Sequence, residues 1–414
     1  MPWKETCAVE QRLAFAHEAV REDVTKAELC RRYGISRPTG DKWLERFLRY
    51  GEAGLADFSS APRHHPNQVP AELAARIVSV RQEHMSWGPR KLLARLKRRQ
   101  EDIRWPAAST IGELLRRLGL SVSRKRRHRT PAYTQPFAGC DGPNATWCAD
   151  FKGWFRTGDG AICQPLTITD AYSRYLIRCQ GLERTQTQPV QGVFEAAFRE
   201  LGLPRAIRTD NGSPFASHAI GGLSRLSIWW LKLGILPERI QPGKPQQNGR
   251  HERMHLTLKR ETASPPRPTL RSQQRRFDTF KAEYNDVRPH EALDQRPPAE
   301  FYQPSQRAYP SRLQEVLYPD QMEVRSVRTS GEIKWRGGRL YLSEALAHER
   351  VGLDPIDDGY WLVHFCQLPL AVLDERLRKL WTMESAMRRG LVARPGVPLP
   401  SAALQSAGTP GTCK

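Results

Sequence analysis

Three acidic residues stand where an α/β sheet could bring their side chains together. Asp150 lies in a strand-like alternating stretch, Asp210 ends a short strand, and Glu252 lies one turn into a helical pattern. Clustered carboxylates repel each other unless divalent cations lie between them. Mg²⁺ prefers oxygen ligands, and two such ions stabilise the attacking and leaving oxygens of a phosphoryl displacement. The pattern predicts a metal-dependent phosphoryl-transfer site. The alternative is that Asp210 is an ordinary turn residue and that Asp150 and Glu252 are surface acids.

Glu252 also belongs to a second pattern, because residues 251–255 read His-Glu-Arg-Met-His. His-Glu-x-x-His on a helix is the signature of zinc proteases, whose two histidines share one helix face. A third ligand is needed, and Leu258 and Glu261 occupy the places of the Gly and His of the usual extension. A later acid such as Glu283 stays open as that ligand, so a zinc protease is kept as the weaker hypothesis.

The charge balance points to an anionic partner. The chain has 414 residues, 65 Lys and Arg against 44 Asp and Glu, a net charge of +21 and a pI of about 10.0. Residues 1–135 carry 27 Lys and Arg against 15 acids, which is over half of the excess. An excess of this size favours double-stranded DNA as the partner, with a DNA-binding front end. A generically basic protein is the alternative.

The cysteines and apolar runs indicate an intracellular protein without a membrane span. The 8 cysteines include no Cys-x-x-Cys pair, so they predict reduced thiols and neither a disulfide framework nor a cysteine zinc site. The most apolar run, 226–236, is too short for a bilayer and contains Lys232. No signal peptide is recognisable. We expect a cytoplasmic protein.

Residues 1–58 predict a helix-turn-helix domain. Gly34 interrupts a helical pattern, Ser36 can cap the next helix, and Pro38 suits its first turn. Helix, short turn and helix is the arrangement that inserts a recognition helix into the major groove. The second helix would present four side chains to DNA: Arg37, Thr39, Lys42 and Arg46. An ordinary helical hairpin with a basic face is the alternative.

A second helix-turn-helix domain is predicted over 71–123, after a Pro-rich linker at 59–70. Ser109 is placed to cap its last helix, and Arg90 and Lys91 are its candidate DNA contacts. A basic linker follows over 124–143. It includes Lys125, Arg126 and Arg127, which either track phosphates or form a solvated charge run.

The rest of the chain predicts two further domains and a tail. Residues 144–306 give three antiparallel strands, helix, strand, helix, strand and helix, which is an α/β mixed sheet with a helical tail. Residues 307–384 have short, evenly spaced strands that fit a small all-β barrel. The last segment, 385–414, has a composition typical of disorder.

Several stretches together resemble the DDE transposases of bacterial insertion sequences, whose core is shared with retroviral integrases. The stretches that carry the resemblance are LCRRYGISRPTGDKWLERF, SWGPRKLLARL, TWCADFKGWF, ITDAYSRY, RTDNGSPFAS, PGKPQQNGRHERMHLTLKRE and YNDVRPHEALDQRPPAEFY. The resemblance implies a ribonuclease-H-like catalytic core and a C-terminal SH3-like β-barrel. Asp150, Asp210 and Glu252 fall on the metal-binding catalytic triad. Lys259 falls on a basic residue that contacts the DNA end, and Asn248 on a polar residue of the flexible loop before the helix.

This resemblance implies a transposase. It would bind terminal inverted repeats, cleave the element's 3′ ends and join them to target DNA with two Mg²⁺ or Mn²⁺ ions, as a dimer or larger assembly. A catalytically silent regulator and a metal-dependent nuclease are the alternatives. The chain departs from the pattern in a longer Asp210–Glu252 gap, filled by a predicted helix at 223–235 on the edge of the core. It also has no His/Cys zinc module, so no structural zinc is expected.

Overall fold

The computed structural model describes residues 7–21, 23–59, 68–121, 140–217, 219–240 and 249–392, apart from the side chains of residues 249 and 250. The chain divides into two compact units, Met1–Pro70 and Ala71–Lys414. No helix in these described ranges is both long and apolar enough to cross a membrane.

The first unit contains helices α1 (Ala8–Val20), α2 (Lys26–Arg32) and α3 (Arg37–Tyr50). Phe15 packs with Leu29 and Cys30 in its core. Gly34 has a φ of +64° in the turn between α2 and α3, a conformation that other residues adopt at a cost. The predicted helix-turn-helix is therefore present. Ser36 occupies the N-cap position of α3, but its hydroxyl makes no capping bond and contacts the Thr39 hydroxyl at 2.8 Å instead.

The second unit begins with three helices, α4 (Ala71–Glu83), α5 (Pro89–Arg99) and α6 (Ala108–Arg117). Their buried apolar side chains are Ile77, Val80, Leu92, Leu96, Ile111 and Leu115. The prediction that Ser109 caps α6 is wrong. Ala107 occupies the N-cap position and has no side chain that could cap, because the helix starts two residues earlier than capping by Ser109 would require.

A mixed sheet forms the centre of this unit and has the predicted element order. Its strands are β1 (Thr146–Phe151), β2 (Phe155–Arg156), β3 (Ile162–Asp170), β4 (Leu176–Leu182), β5 (Ala206–Thr209) and β6 (Leu236–Arg239). The spatial order is β4-β3-β1-β5-β6, and β2 forms a short hairpin with the start of β3. β1, β3 and β4 are antiparallel, whereas β5 and β6 are parallel to β1. This is the arrangement of a ribonuclease-H-like core.

Helices cover both faces of the sheet. One face packs against α7 (Thr187–Leu201) and α8 (Arg225–Lys232) through a cluster that includes Trp147, Ile168 and Phe198. The other face packs against α9 (Gly249–Thr262) and α10 (Leu270–Ala282), with Leu258 and Phe277 buried there. Because side chains alternate along a strand, residues of β1 divide between the two faces.

Helix α8 is the predicted helix of the long gap, but it does not lie at an exposed edge. Leu226 and Trp230 belong to the core of the mixed sheet, while Ile228 and Leu231 belong to the apolar cluster of the C-terminal module. A helix that is apolar on all sides is expected to be buried between two layers. The extra residues in the gap thus join the catalytic core to the C-terminal module.

The C-terminal module consists of short strands and one helix. They are β7 (Glu323–Ser326), β8 (Glu332–Trp335), β9 (Gly338–Tyr341), β10 (Arg350–Asp357), β11 (Tyr360–Phe365), β12 (Leu368–Asp374), β13 (Lys379–Thr382) and α11 (Met383–Arg388). An open five-stranded sheet of order β13-β12-β11-β10-β7 shares its core with the β8–β9 hairpin. The all-β module is therefore present, and a closed barrel is not confirmed. The prediction of disorder from residue 385 is wrong at its start, because residues 385–388 belong to α11, and residues 393–414 lie outside the described residues.

The three-helix unit α4–α6 is held against the helical tail of the core by polar contacts. His84 Nδ1 lies 2.8 Å from Oε1 of Glu283, and the His84 ring stacks on Trp87 at 3.8 Å. The hydroxyl of Ser86 donates to Glu261, the next-to-last residue of α9. The helix that carries Glu252 therefore contacts the three-helix unit at its far end.

Candidate active site

Asp150 lies in β1, and Asp210 directly follows β5, the parallel neighbour of β1. The paired residues end with Cys148 and Arg208, and Asp150 and Asp210 each lie two residues further along the chain. Asp150 is on the sheet face that α9 covers, because His255 Nδ1 of α9 lies 4.0 Å from Asp150 Oδ2. The two predicted acids therefore stand at the carboxyl ends of neighbouring parallel strands.

The turn after β5 holds the Asp210 side chain. The main-chain N–H of Gly212 donates to Asp210 Oδ1 at 3.2 Å, and the Asn211 amide donates to the carbonyl of Ile240 at 3.2 Å. A Cβ on Gly212 would lie 3.2 Å from Asp210 Oδ2. Glycine at this position keeps the space around the carboxylate open on that side.

Glu252 lies in the first turn of α9 and is exposed. Leu256 and Lys259, four and seven residues further on, share its helix face and are also exposed. No group of three His, Cys, Asp or Glu side chains in the described ranges is clustered closely enough to hold a metal ion. The fold thus places Asp150 and Asp210 at the ends of neighbouring strands and packs the Glu252 helix on the same sheet, without a three-acid cluster among the described residues.

The two histidines that flank Glu252 face the sheet. His251 Nε2 and His255 Nε2 lie 2.6 and 2.7 Å from the hydroxyl of Thr167, and His251 Nδ1 lies 3.2 Å from the hydroxyl of Thr169. Both rings are buried, and burial lowers the pKa of His251 to about 3 and that of His255 to about 2. Neutral imidazoles with their nitrogens engaged by threonines dock α9 onto β3.

The predicted recognition-helix residues divide between two sides of α3. Thr39, Lys42 and Arg46 recur at three and four residues and share a face, whereas Arg37 lies on the opposite side. Arg37 lines a groove of about 330 Å³ together with Lys26 of α2. The guanidinium of Arg46 lies over the ring of Phe58 at 4.2 Å, and Lys42 is exposed.

Arg90 and Lys91, predicted as DNA contacts, both lie beside the tail of the core. Arg90 Nη1 lies 3.0 Å from Oε1 of Glu291, in a pair whose side chains are both exposed. Lys91 is largely buried, and this burial, together with the charge of Arg288, lowers its pKa to about 8. Their surroundings are those of an internal interface, and their contact with DNA stays a prediction.

The remaining predicted DNA contacts differ in what can be described. Lys259 is exposed near the end of α9, seven residues after Glu252. Lys125, Arg126, Arg127 and Asn248 lie outside the described residues.

Sequence reasoning missed Thr167, Thr169 and the Glu261–Arg288 pair. The stretch Leu166–Thr169 alternates apolar and hydroxyl residues, which places both threonines on one face of a strand. This alternation is visible in the sequence. The helix that covers the two threonines cannot be identified in the same way, because it depends on which distant segment packs on that face.

Comparisons with known proteins agree with this arrangement. Two family models described as integrase core domains match residues 141–245 and 233–298. A helix-turn-helix domain model matches 11–63, and a homeodomain-like domain model matches 39–115. The model of the C-terminal domain of IS481 family transposases matches 322–380, which covers the strands of the C-terminal module.

Several curated relatives come from insertion elements. A protein of insertion element IS407 from Burkholderia multivorans is 28% identical over 68% of this chain and 93% of its own length. The transposase InsD of Escherichia coli insertion element IS2 is 26% identical over 67% of this chain and 94% of its own length. A solved structure of the HTLV-2 integrase catalytic core domain with magnesium aligns with a TM-score of 0.32 at 16% identity, over 39% of this chain and 98% of that one.

The integrase core and the helix-turn-helix domains define a class, the DNA-acting polynucleotidyl transferases. Within that class the domain models and the insertion-element relatives indicate a DDE-type transposase. Its helix-turn-helix domains imply DNA binding, and its integrase core implies use of a divalent metal ion.

Proposed function

We propose that this transposase binds the terminal inverted repeats of its element, cleaves the 3′ ends and joins them to target DNA. The observation that supports the proposal is that Asp150 and Asp210 stand at the ends of the neighbouring parallel strands β1 and β5, on a sheet to which the Glu252 helix is docked. Carboxylates at the end of parallel strands, next to an exposed acid on a packed helix, suit a site for phosphodiester chemistry.

Asp150, Asp210 and Glu252 would hold Mg²⁺ or Mn²⁺. The donor set fits such ions, because it offers carboxylate oxygens, while both nitrogens of His251 and Nε2 of His255 contact Thr167 and Thr169. Two ions, when bound, activate the attacking oxygen and offset the charge on the leaving oxygen. The exposed Lys259, on the same helix face as Glu252, would bind a phosphate of the DNA end.

The first reaction is attack by water on the phosphodiester at the 3′ end of the element, which frees a 3′-hydroxyl. That hydroxyl then attacks a phosphate of the target DNA, so a phosphodiester bond forms as another breaks. Thr39, Lys42 and Arg46, with Arg37 at the start of α3, would read the end sequence in the major groove. Further phosphate contacts would come from Arg90, Lys91, Lys125, Arg126, Arg127 and Asn248.

Pairing of two ends requires more than one chain, so we expect a dimer or a larger assembly. The reaction places the protein in the bacterial cytoplasm, on the nucleoid. The strands of the C-terminal module would form an SH3-like barrel beside the core.

The test compares Asp150→Asn, Asp210→Asn and Glu252→Gln with the wild type on the DNA that flanks the reading frame. Each variant should lose end cleavage and strand transfer, with end binding in a gel-shift assay nearly unchanged, because the acids bind metal rather than most of the DNA. Cleavage at the wild-type rate by two of the three variants would refute the triad. A wild type that binds ends but never cleaves would indicate a silent regulator, and one that cleaves without joining would indicate a nuclease.

A further inference from the structure

The hydroxyl of Thr167 lies at the centre of a buried polar cluster under α9. Its oxygen lies 2.6 Å from His251 Nε2, 2.7 Å from His255 Nε2 and 3.1 Å from the main-chain oxygen of Asp150. A hydroxyl has one proton and two lone pairs, so it can donate to only one of these three atoms. The direction of that one bond decides where both imidazole protons lie.

One arrangement is favoured by the position of the Asp150 carboxylate. His255 Nδ1 faces Asp150 Oδ2 at 4.0 Å, which is beyond hydrogen-bond length but close enough for electrostatic attraction or repulsion. If Thr167 donates to His255 Nε2, the imidazole proton lies on Nδ1 and points toward the carboxylate. Either other choice puts that proton on Nε2 and turns the lone pair of Nδ1 toward a negative charge.

The favoured arrangement also satisfies the rest of the cluster. His251 donates its Nε2–H to the Thr167 oxygen and accepts the Thr169 hydroxyl at Nδ1, 3.2 Å away. Each imidazole nitrogen and each hydroxyl is then assigned as donor or acceptor. The chain of contacts runs from Thr169 through His251, Thr167 and His255 to the carboxylate of Asp150. Fully satisfied buried networks are rigid, because any rotation leaves a buried polar atom without a partner.

We propose that Thr167, His251 and His255 form a positioning network that holds the Asp150 carboxylate and helix α9, and with it Glu252, in one fixed frame. The proposal rests on the proposed function, since it assigns the network a role in presenting those acids to divalent metal. The three residues are positioning residues, and none of them contacts DNA or metal. Their histidine nitrogens, which fit the His-Glu-x-x-His pattern in sequence, are used inside the fold.

Thr167→Val removes the hydroxyl and retains the shape of the side chain, and Thr167→Ser restores the hydroxyl. Mn²⁺ binding to the purified full-length protein, followed by electron paramagnetic resonance, gives a readout that does not depend on cleavage. Thr167→Val should bind Mn²⁺ about tenfold more weakly, which is the lower end of the loss for groups that support metal ligands. Thr167→Ser should bind within about twofold of the wild type. Wild-type affinity in a folded Thr167→Val would overturn the proposal.

A matched pair at His255 tests the direction of the network. The amide N–H of asparagine takes the place of Nδ1–H, whereas the amide of glutamine reaches the place of Nε2. His255→Asn should therefore retain tighter Mn²⁺ binding than His255→Gln, and the reverse order would refute the assigned direction.

The ¹⁵N spectrum of histidine-labelled protein without metal reports the tautomer itself. A proton on Nδ1 of His255, assigned by its disappearance in His255→Gln, is expected in the wild type and in Thr167→Ser. A proton on Nε2 in the wild type would overturn the proposal. The tautomer readout is independent of the proposed function, whose acid triad fails instead if two of the three acid variants still cleave DNA at the wild-type rate.

Discussion

Glu261 and Arg288 form an ion pair with an Nη1–Oε1 distance of 2.8 Å, and their side chains are only 14% and 8% exposed. Glu261 belongs to α9, and it also accepts the hydroxyl of Ser86 from the segment after α4. The same helix therefore carries a candidate catalytic acid near its start and a buried anchor near its end. Stability of this anchor and placement of the active-site helix are physically linked.

Arg288→Met should lower the free energy of unfolding by about 3–5 kcal/mol, because it leaves the Glu261 carboxylate buried and unpaired. The double variant Glu261→Met with Arg288→Met should recover much of that loss. The Arg90–Glu291 pair is the control, since both side chains are 75% exposed and Glu291→Gln should cost less than about 1 kcal/mol. Denaturant unfolding checks the series, and an Arg288→Met as mild as Glu291→Gln would contradict the buried-anchor assignment.

The free energy of unfolding should decrease as the pH is lowered below about 6.5, because of histidines such as His290 that lie away from solvent. Burial, with the positive charges of Lys91 and Arg288 nearby, lowers the pKa of His290 to about 3. The unfolded state then binds a proton that the folded state does not, so stability is complete above the unfolded pKa and is lost as pH falls toward the folded one.

His290→Gln should remove that contribution. The slope of unfolding free energy against pH between 6 and 4 should decrease by up to about 1.4 kcal/mol per pH unit relative to the wild type. Urea unfolding at several pH values measures both slopes, and equal slopes would show that His290 is protonated in the folded protein.

The sequence predicted the core because its signals are local and periodic. Alternation over 146–151, the three- and four-residue steps of Val190–Leu201 and the Asp-Asn-Gly turn each follow from nearest neighbours along the chain. The position of Asp150 and Asp210 at the ends of neighbouring parallel strands was expected for the same reason, and their meeting at one site stays a prediction.

What the sequence could not supply are contacts between distant segments. Lys91 looked like a basic surface residue, yet it is largely buried beside Arg288, because α5 packs on a tail almost 200 residues away in the chain. The sequence pattern of helix α8 is that of an insertion at the edge of the core. Its second apolar side is explained by the C-terminal module, which packs against it. Local pattern does not specify which surface a helix will meet.

Lys42 should contribute one ionic contact with DNA. It is exposed on the side of α3 that carries Thr39 and Arg46, away from Phe15 and Leu29. Lys42→Ala in the full-length protein should reduce the slope of log K against log salt by about 0.9, the value for one phosphate contact. Lys26→Ala is the matched control, because Lys26 is exposed on α2 beside Asp41 at 3.5 Å. A slope change at Lys26 as large as that at Lys42 would reject α3 as the DNA-facing element.

The required metal should be Mg²⁺ or Mn²⁺, and zinc should not replace either. A zinc protease would need His251 and His255 as ligands, but the Nε2 atoms of both contact Thr167 and Nδ1 of His251 contacts Thr169. Neutral imidazoles are also poor ligands for a hard, oxygen-seeking ion.

The variant His251→Ala with His255→Ala should therefore weaken cleavage, because α9 loses its contacts with β3, while the required metal stays the same. Purified wild-type protein should contain less than one zinc per ten chains by elemental analysis, roughly the level of contaminating metal at a site without suitable ligands. Stoichiometric zinc that is lost in the double variant, together with peptide cleavage by the wild type, would replace the transposase assignment of these residues with a protease.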